Sequence, residues 1–303
     1  MLNSTMSASI HPTSLPAIGI IGGSGLYEID GFVETKEISV ATPFGSPSDL
    51  LVGGELSGRQ VYFLPRHGKG HKILPTELNH RANIWALRSL NVRWIICVTA
   101  VGSLQEEYRP RDIVLPDQFF DRTSQRRENT FFGDGIAAHI SFAEPISAQL
   151  RQILADCGRD EGLTIHNGGT YVNMDGPAFS TRAESETNHK LGFDVIGMTN
   201  LPEAKLAREA EIALATLAMV TDYDSWKVSE EAVTAHTVVE HLQENAANAK
   251  KMLPKAIARI PKDPDWPEHR SLDNALFTDV SLWPGETCEK LRPLLGRFLA
   301  PEE

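Results

Sequence analysis

The run IALATLAMV at 212–220 has no polar face: apolar side chains occupy both parities of a strand and every side of a helix, interrupted only by the β-branched Thr216. Such a run predicts a strand covered on both faces, which requires a central sheet with helices on either side. It gives way abruptly to Asp222-Tyr223-Asp224. In extended chain the two-residue period puts Asp222 and Asp224 on one side, at the strand's carboxyl end. An α/β sheet presents its ligand crevice along that edge. Paired carboxylates there call for a ligand that donates hydrogen bonds, such as a purine with an N7 proton and an exocyclic amino group. A helix cap or a turn accounts for the two aspartates equally well on spacing alone.

Elsewhere, strand and helix signals alternate at intervals of roughly thirty residues, the pattern of one α/β domain on a central sheet. AIGII at 17–21 reads as a strand running into Gly22-Gly23-Ser24-Gly25. Glycines let the backbone turn sharply, and the Ser24 hydroxyl with nearby N–H groups can meet an anion. The motif is neither GxGxxG nor a Walker loop, and alone it is equally an ordinary tight turn. Residues 60–64 predict a strand closing a hairpin over about 50–65, so the sheet is not expected to be purely parallel. Beyond it come Arg66, His67 and, four positions on, His71. An arginine fork suits oxyanions and histidine exchanges a proton near neutral pH, whereas Lys69 and Lys72 read as surface charges.

Residues 76–90 predict a helix capped by Thr76, and 93–99 a strand ending in Thr99-Ala100-Val101-Gly102-Ser103, a second hydroxyl at a strand-to-glycine transition. FFGDG at 131–135 is too aromatic for an exposed connection and predicts burial at an oligomer interface, with His139 just beyond. Further expectations are a helix over 182–190 and a strand over 194–198 leading into Met198-Thr199-Asn200. A helix over 203–211 opens at Pro202, a long helix over 230–255 is bent or ended by Pro254, and a final helix lies near 291–299.

The chain has 303 residues, with 29 Lys plus Arg against 40 Asp plus Glu, a formal charge of -11. That balance disfavours a broad nucleic-acid or acidic-membrane surface and leaves room for a local anion pocket. Cys97, Cys157 and Cys288 have neither metal-ligand nor disulfide-framework spacing, which points to a reducing cytoplasm. Residues 1–17 carry no Lys or Arg and no long apolar run, so 1–16 read as a flexible polar tail before a single domain over 17–300.

Taken together, IGIIGGSG at 18–25, TPFGSPSD at 42–49, PRHGKGH at 65–71, NHRANIWAL at 79–87, TAVGS at 99–103, RDIVLPDQF at 111–119, MTNLPEAKLAREA at 198–210 and TDYDSW at 221–226 resemble the purine nucleoside phosphorylase superfamily, most closely its 5'-methylthioadenosine phosphorylase branch. The resemblance implies a three-layer fold with a mixed sheet, and a cofactor-free, metal-free attack of orthophosphate as co-substrate on a nucleoside's anomeric carbon. The products would be adenine and 5-methylthioribose 1-phosphate, a purine and methionine salvage step. It further implies that Ser24, Arg66, His67, Thr99, Ala100 and Thr199 hold phosphate. Asp222 would act at purine N7 as general acid and Asp224 would accept from the 6-amino group. Met198 would lie at the ribose, Phe179 beside the base, and His71 and His139 at the substrate, His139 across the interface of a homotrimer. Asp175, Ala178 and Asn200 depart from the family pattern, Asn200 in the bacterial direction. The alternatives are phosphorolysis of 5'-methylthioinosine or purine nucleosides generally, and a non-catalytic nucleoside-binding protein on the same scaffold.

Overall fold

A computed structural model of the chain describes residues 15–23, 26, 29–124, 129–227 and 235–299, with side chains in the last segment from 241 onward. Its first half comprises β1 (Ala17–Gly22), β2 (Val33–Ile38), β3 (Leu51–Leu56), β4 (Arg59–Pro65), α1 (His80–Ser89), β5 (Val92–Ser103), β6 (Ile113–Leu115) and β7 (Gln118–Asp121). The second half adds α2 (Ala148–Asp160), β8 (Ile165–Asn167), β9 (Thr170–Asn173), α3 (Arg182–Lys190), β10 (Val195–Gly197), α4 (Asn200–Glu209), β11 (Ala213–Tyr223), α5 (Ala235–Arg259), α6 (Gly285–Lys290) and α7 (Arg292–Leu295). The expected polar tail falls on residues 1–14, outside the described residues, and its last two positions, Leu15 and Pro16, precede β1.

All eleven strands join one mixed sheet, and β5 is its hub. Along one edge β5 pairs in parallel with β1, which pairs in parallel with β4, and β4, β3 and β2 continue as an antiparallel meander. The other edge of β5 pairs in parallel with β11 over most of its length, while beyond the end of β1 the first edge pairs antiparallel with β10 at Gly102 and Ser103. From Ala213 to Thr221 every residue of β11 is buried, which is why the run lacks a polar face. α1 packs with α4 and α2 with α5, and the two pairs cover β5 and β11, giving the three layers.

Local chemistry corrects several boundaries. Thr76 does not cap the first helix: residues 75–77 form a separate 3-10 turn, and α1 starts later because the Asn79 side chain accepts from the Ala82 N–H. Pro254 lies inside α5 and does not end it. Its missing N–H costs one helical bond, while Met252, Leu253, Ala256 and Ile257 on either side are all fully buried. The helix near 291–299 breaks into α7 and a 3-10 turn. α3 matches its expected range, fixed by a Thr181–Glu184 capping box. Phe131 is not an interface ring: it is 4% exposed within this chain, 5.4 Å from Phe44, and its N–H donates to Glu209 at 2.7 Å.

Candidate active site

Strand register brings distant segments to one level. Ile21 of β1 pairs with Cys97, and the Arg66 N–H donates to Gly22 O, so the chain leaving β4 sits at the carboxyl end of β1, beside Val98 and Thr99. β10 runs antiparallel to β5 with Ile196 opposite Gly102. Beyond the end of β10, Thr199 meets the level of Thr99 through Tyr171, whose hydroxyl lies by the Thr99 side chain and the Thr199 backbone. Thr99 and Thr199 are both buried, and Thr199 occupies the N-cap position of α4 without a side-chain capping bond. The start of α4 therefore faces this level, although its Leu201 N–H already donates to Asn173 Oδ1 at 3.1 Å and Pro202 has none to give. Ser24 lies outside the described residues. A Cβ on Gly22, which leads to it, would lie 2.7 Å from the Leu26 Cδ1 methyl and displace that side chain.

Arg66 is not an exposed loop cation. It is 2% exposed, and its guanidinium donates to Glu203 from Nε at 2.5 Å and from Nη2 at 3.0 Å, and to Val98 O from Nη1 at 2.9 Å. Burial favours the neutral forms of both partners, but their mutual charge and hydrogen bonds outweigh it: the guanidinium pKa rises and the Glu203 pKa falls. His67 is also buried enough that desolvation pulls its pKa down to about 4, against the raising effect of its bond to Ile73 O. It is neutral near pH 7. Because a carbonyl only accepts, Nδ1 carries the proton donated to Ile73 O, leaving Nε2 as the free ring nitrogen. His71 stacks on His67 with centroids 4.4 Å apart, in left-handed backbone geometry (φ 54°).

Farther along β5, Asp222 pairs with Gly102, three residues beyond Thr99 and therefore about 10 Å up the strand. Thr221 is an extra residue in β11 at this point, a bulge that re-aims the strand end. Burial raises the Asp222 pKa, the nearby Asp224 charge adds to the rise, and a 2.6 Å bond from the Thr221 hydroxyl opposes it. Asp224 is 8% exposed, and its Oδ2 is buried with no hydrogen-bond partner among the described residues. Met198 packs onto the Asp175-Gly176-Pro177 turn: a Cβ on Gly176 would lie 2.3 Å from its sulfur. Asp175 accepts from both the N–H and the hydroxyl of Ser124 at 2.8 Å.

Phe179 is 82% exposed, and its neighbour Ser180 accepts from the Ser225 hydroxyl at 3.2 Å, next to Asp224. One expected residue stands apart within one chain. His139 is exposed and follows a segment tied to Glu209 at the carboxyl end of α4, the opposite end from Thr199. Three residues of the site region went unrecognised in the sequence. Glu203 sits inside the MTNLPEAKLAREA motif and reads there only as a first-turn acid. Tyr171 is fully buried on β9 with its hydroxyl toward Thr99 and the Thr199 backbone. His241 on α5 donates from Nδ1 to Thr221 O at 2.6 Å, beside Asp222. Among the described residues no cluster of His, Cys, Asp and Glu could hold a metal, and no helix is long and apolar enough to cross a membrane.

A doubly covered mixed sheet whose strand ends gather anion donors at one level and two carboxylates at the next defines a nucleoside phosphorylase fold. The family model of the phosphorylase superfamily matches residues 17–258, and the chain belongs to that superfamily. It is 50% identical over 282 residues to S-methyl-5'-thioadenosine phosphorylase of Geobacter sulfurreducens, covering 93% of this chain and 99% of that protein. A methylthioadenosine phosphorylase from an antarctic soil metagenomic library superposes with a TM-score of 0.88 at 47% identity, over 93% of this chain and 99% of that one. Methylthioadenosine phosphorylase from Schistosoma mansoni, solved with adenine, superposes with a TM-score of 0.76 at 40% identity, over 80% and 91% of the two chains.

Proposed function

We propose that the protein catalyses reversible phosphorolysis of S-methyl-5'-thioadenosine to adenine and 5-methylthioribose 1-phosphate, a purine and methionine salvage step. An orthophosphate oxygen forms the new bond to the anomeric carbon as the bond to purine N9 breaks and its electron pair leaves with the base. The observation that carries this reading is the offset of about 10 Å along β5 between the level of Thr99, Thr199 and Arg66 and that of Asp222 and Asp224, the distance from a sugar-bound phosphate to a purine edge.

Orthophosphate is a co-substrate, and the reaction as written needs no cofactor. Ser24, Arg66, His67, Thr99, the Ala100 backbone and Thr199 bind it, which orients the nucleophile and removes its entropy cost before attack. Met198 lines the ribose, while His71 and Phe179 border the substrate. Asp222 shares or donates a proton at N7, and its raised pKa suits that task better than an ordinary aspartate would. The partnerless Oδ2 of Asp224 accepts from the 6-amino group, which favours adenine over a 6-oxo base.

Residues 17–300 form the catalytic domain of a homotrimer in which His139 completes a neighbour's site. Supporting this, His139 packs edge-on to Phe277, which is 71% exposed, beside a groove of about 480 Å³. Three unpaired cysteines suit a cytoplasmic enzyme. The test is incubation of purified protein with S-methyl-5'-thioadenosine, with and without phosphate, following both products. Adenine release at the same rate without phosphate means hydrolysis, and no release at all means a binding protein. Sedimentation equilibrium tests the trimer, and a persistent, active monomer rejects the shared site.

A further inference from the structure

We infer that Glu203 is a positioning residue for phosphate, acting through Arg66, and that Asn200 and Thr216 hold Glu203 in turn. The inference rests on the phosphate role proposed for Arg66. Its basis is an accounting of hydrogen bonds. A guanidinium has five N–H groups. In Arg66, Nε and one Nη2 proton go to Glu203, the second Nη2 proton reaches Ile21 O at 3.4 Å, and one Nη1 proton goes to Val98 O. A single Nη1 proton remains outside these four bonds, and the Cys97 side chain also lies in hydrogen-bonding reach of the guanidinium, so Arg66 has at most one donor for a ligand and no freedom to choose its direction.

Glu203 is 1% exposed and fixes that direction. Its Oε2 also accepts from Asn200 Nδ2 at 3.1 Å and from the Cys97 thiol at 3.2 Å. Burial, with the Glu203 charge adding to it, keeps the Cys97 pKa well above its ordinary value, so it remains a neutral donor. Asn200 and Glu203 are three residues apart on the first turn of α4 and face the same way. The Thr216 hydroxyl on β11 donates to Asn200 Oδ1 at 2.6 Å. The network thus ties β1, the exit of β4, β5, α4 and β11 to one guanidinium. Burying an ion pair contributes little to stability compared with apolar packing of the same volume, so the consequence of this pair is geometric. It also cancels the charge of Arg66: the phosphate level receives an oriented N–H rather than a free cation.

The test is initial-rate kinetics with S-methyl-5'-thioadenosine and orthophosphate varied separately, for wild type, Glu203→Gln and Thr216→Val. Glu203→Gln keeps shape and one acceptor but loses the charge and the bidentate grip. The expected result is a rise of about tenfold in phosphate KM, equivalent to about 1.4 kcal/mol, with nucleoside KM changed by less than about twofold. Thr216→Val, which touches neither partner of the ion pair, shifts phosphate KM about threefold in the same direction. A folded Glu203→Gln with unchanged phosphate KM, or with both KM values rising together, overturns the inference. If that variant does not fold, Thr216→Val decides: unchanged phosphate KM overturns it and a selective rise upholds it. Wild-type turnover that is independent of phosphate removes the functional reading and the inference with it. Phosphate-dependent wild type with unaffected variants removes only the inference.

Discussion

Asp224→Asn separates ligand chemistry from scaffolding, because the two give opposite signs for stability. The carboxylate is 8% exposed, its Oδ2 has no donor among the described residues, and its charge raises the pKa of Asp222. The isosteric amide leaves both main-chain bonds in place, Asp224 N–H to Ser103 O and Lys227 N–H to Asp224 O. An unsatisfied buried polar group costs about 1–3 kcal/mol. The amide still lacks a partner there, so only the charge penalty and the repulsion with Asp222 are relieved. The gain is about 1 kcal/mol, or about 2 °C in Tm. Removing the charge also lets the Asp222 pKa fall, so the limb of the pH profile that reports this acid moves to lower pH. The same substitution removes a charge-assisted bond to the 6-amino group, worth about 1.5–3 kcal/mol. Selectivity for S-methyl-5'-thioadenosine over 5'-methylthioinosine should therefore drop roughly 10- to 150-fold. Matched kcat/KM values for both nucleosides, together with thermal scans, measure all three effects. A variant that loses stability while keeping wild-type selectivity refutes the reasoning and makes Asp224 a turn residue.

Gly197→Ala would put a Cβ 1.8 Å from the Tyr171 hydroxyl and 2.6 Å from Cζ of the same fully buried ring, so a loss of about 3 kcal/mol in urea denaturation is expected. Adding Tyr171→Phe should restore part of it, and an unshifted midpoint in Gly197→Ala would contradict the packing. Burial holds His67 and His269 down at about 4 from an ordinary 6.5, so the unfolded chain binds more protons between those values. Their contribution to stability is complete above about pH 6.5 and is lost as pH falls through about 4, and His67→Gln should flatten urea midpoints across that window. Burial raises the Glu209 pKa from 4.5 to about 7 despite bonds from Phe131 N–H and Thr130, so stability from this group is present below pH 4.5 and lost as pH rises through about 7. Glu209→Gln should raise Tm at pH 8 and leave it nearly unchanged at pH 5.

The fold was legible where one residue type dominates its surroundings. The apolar run of β11 demanded a doubly covered strand, and Thr181 with Glu184 set the start of α3 at the expected residue. Boundaries failed where two capping candidates compete, as with Thr76 and Asn79, or where tertiary burial overrides a local breaker, as at Pro254. In the site, Arg66 and Asp222 stood out because charge at a strand end is conspicuous. Glu203, Tyr171 and His241 did not, because their importance lies in which distant atom each touches. Phe131 misled because solvent exclusion can come from the same chain: Phe44 covers it.

The double pairing of β5 has a consequence for how the protein is made. Its second edge waits for β11, and about 110 residues separate the end of one strand from the start of the other. At ribosomal elongation rates that interval lasts roughly 5–20 s, during which the nascent chain carries Trp94, Ile95, Ile96 and Val98 on a strand with an open hydrogen-bonding edge. Ribosome-bound intermediates ending before Ala213 are thus the species most exposed to misassembly, and every full-length chain passes through them before its catalytic strand ends can meet.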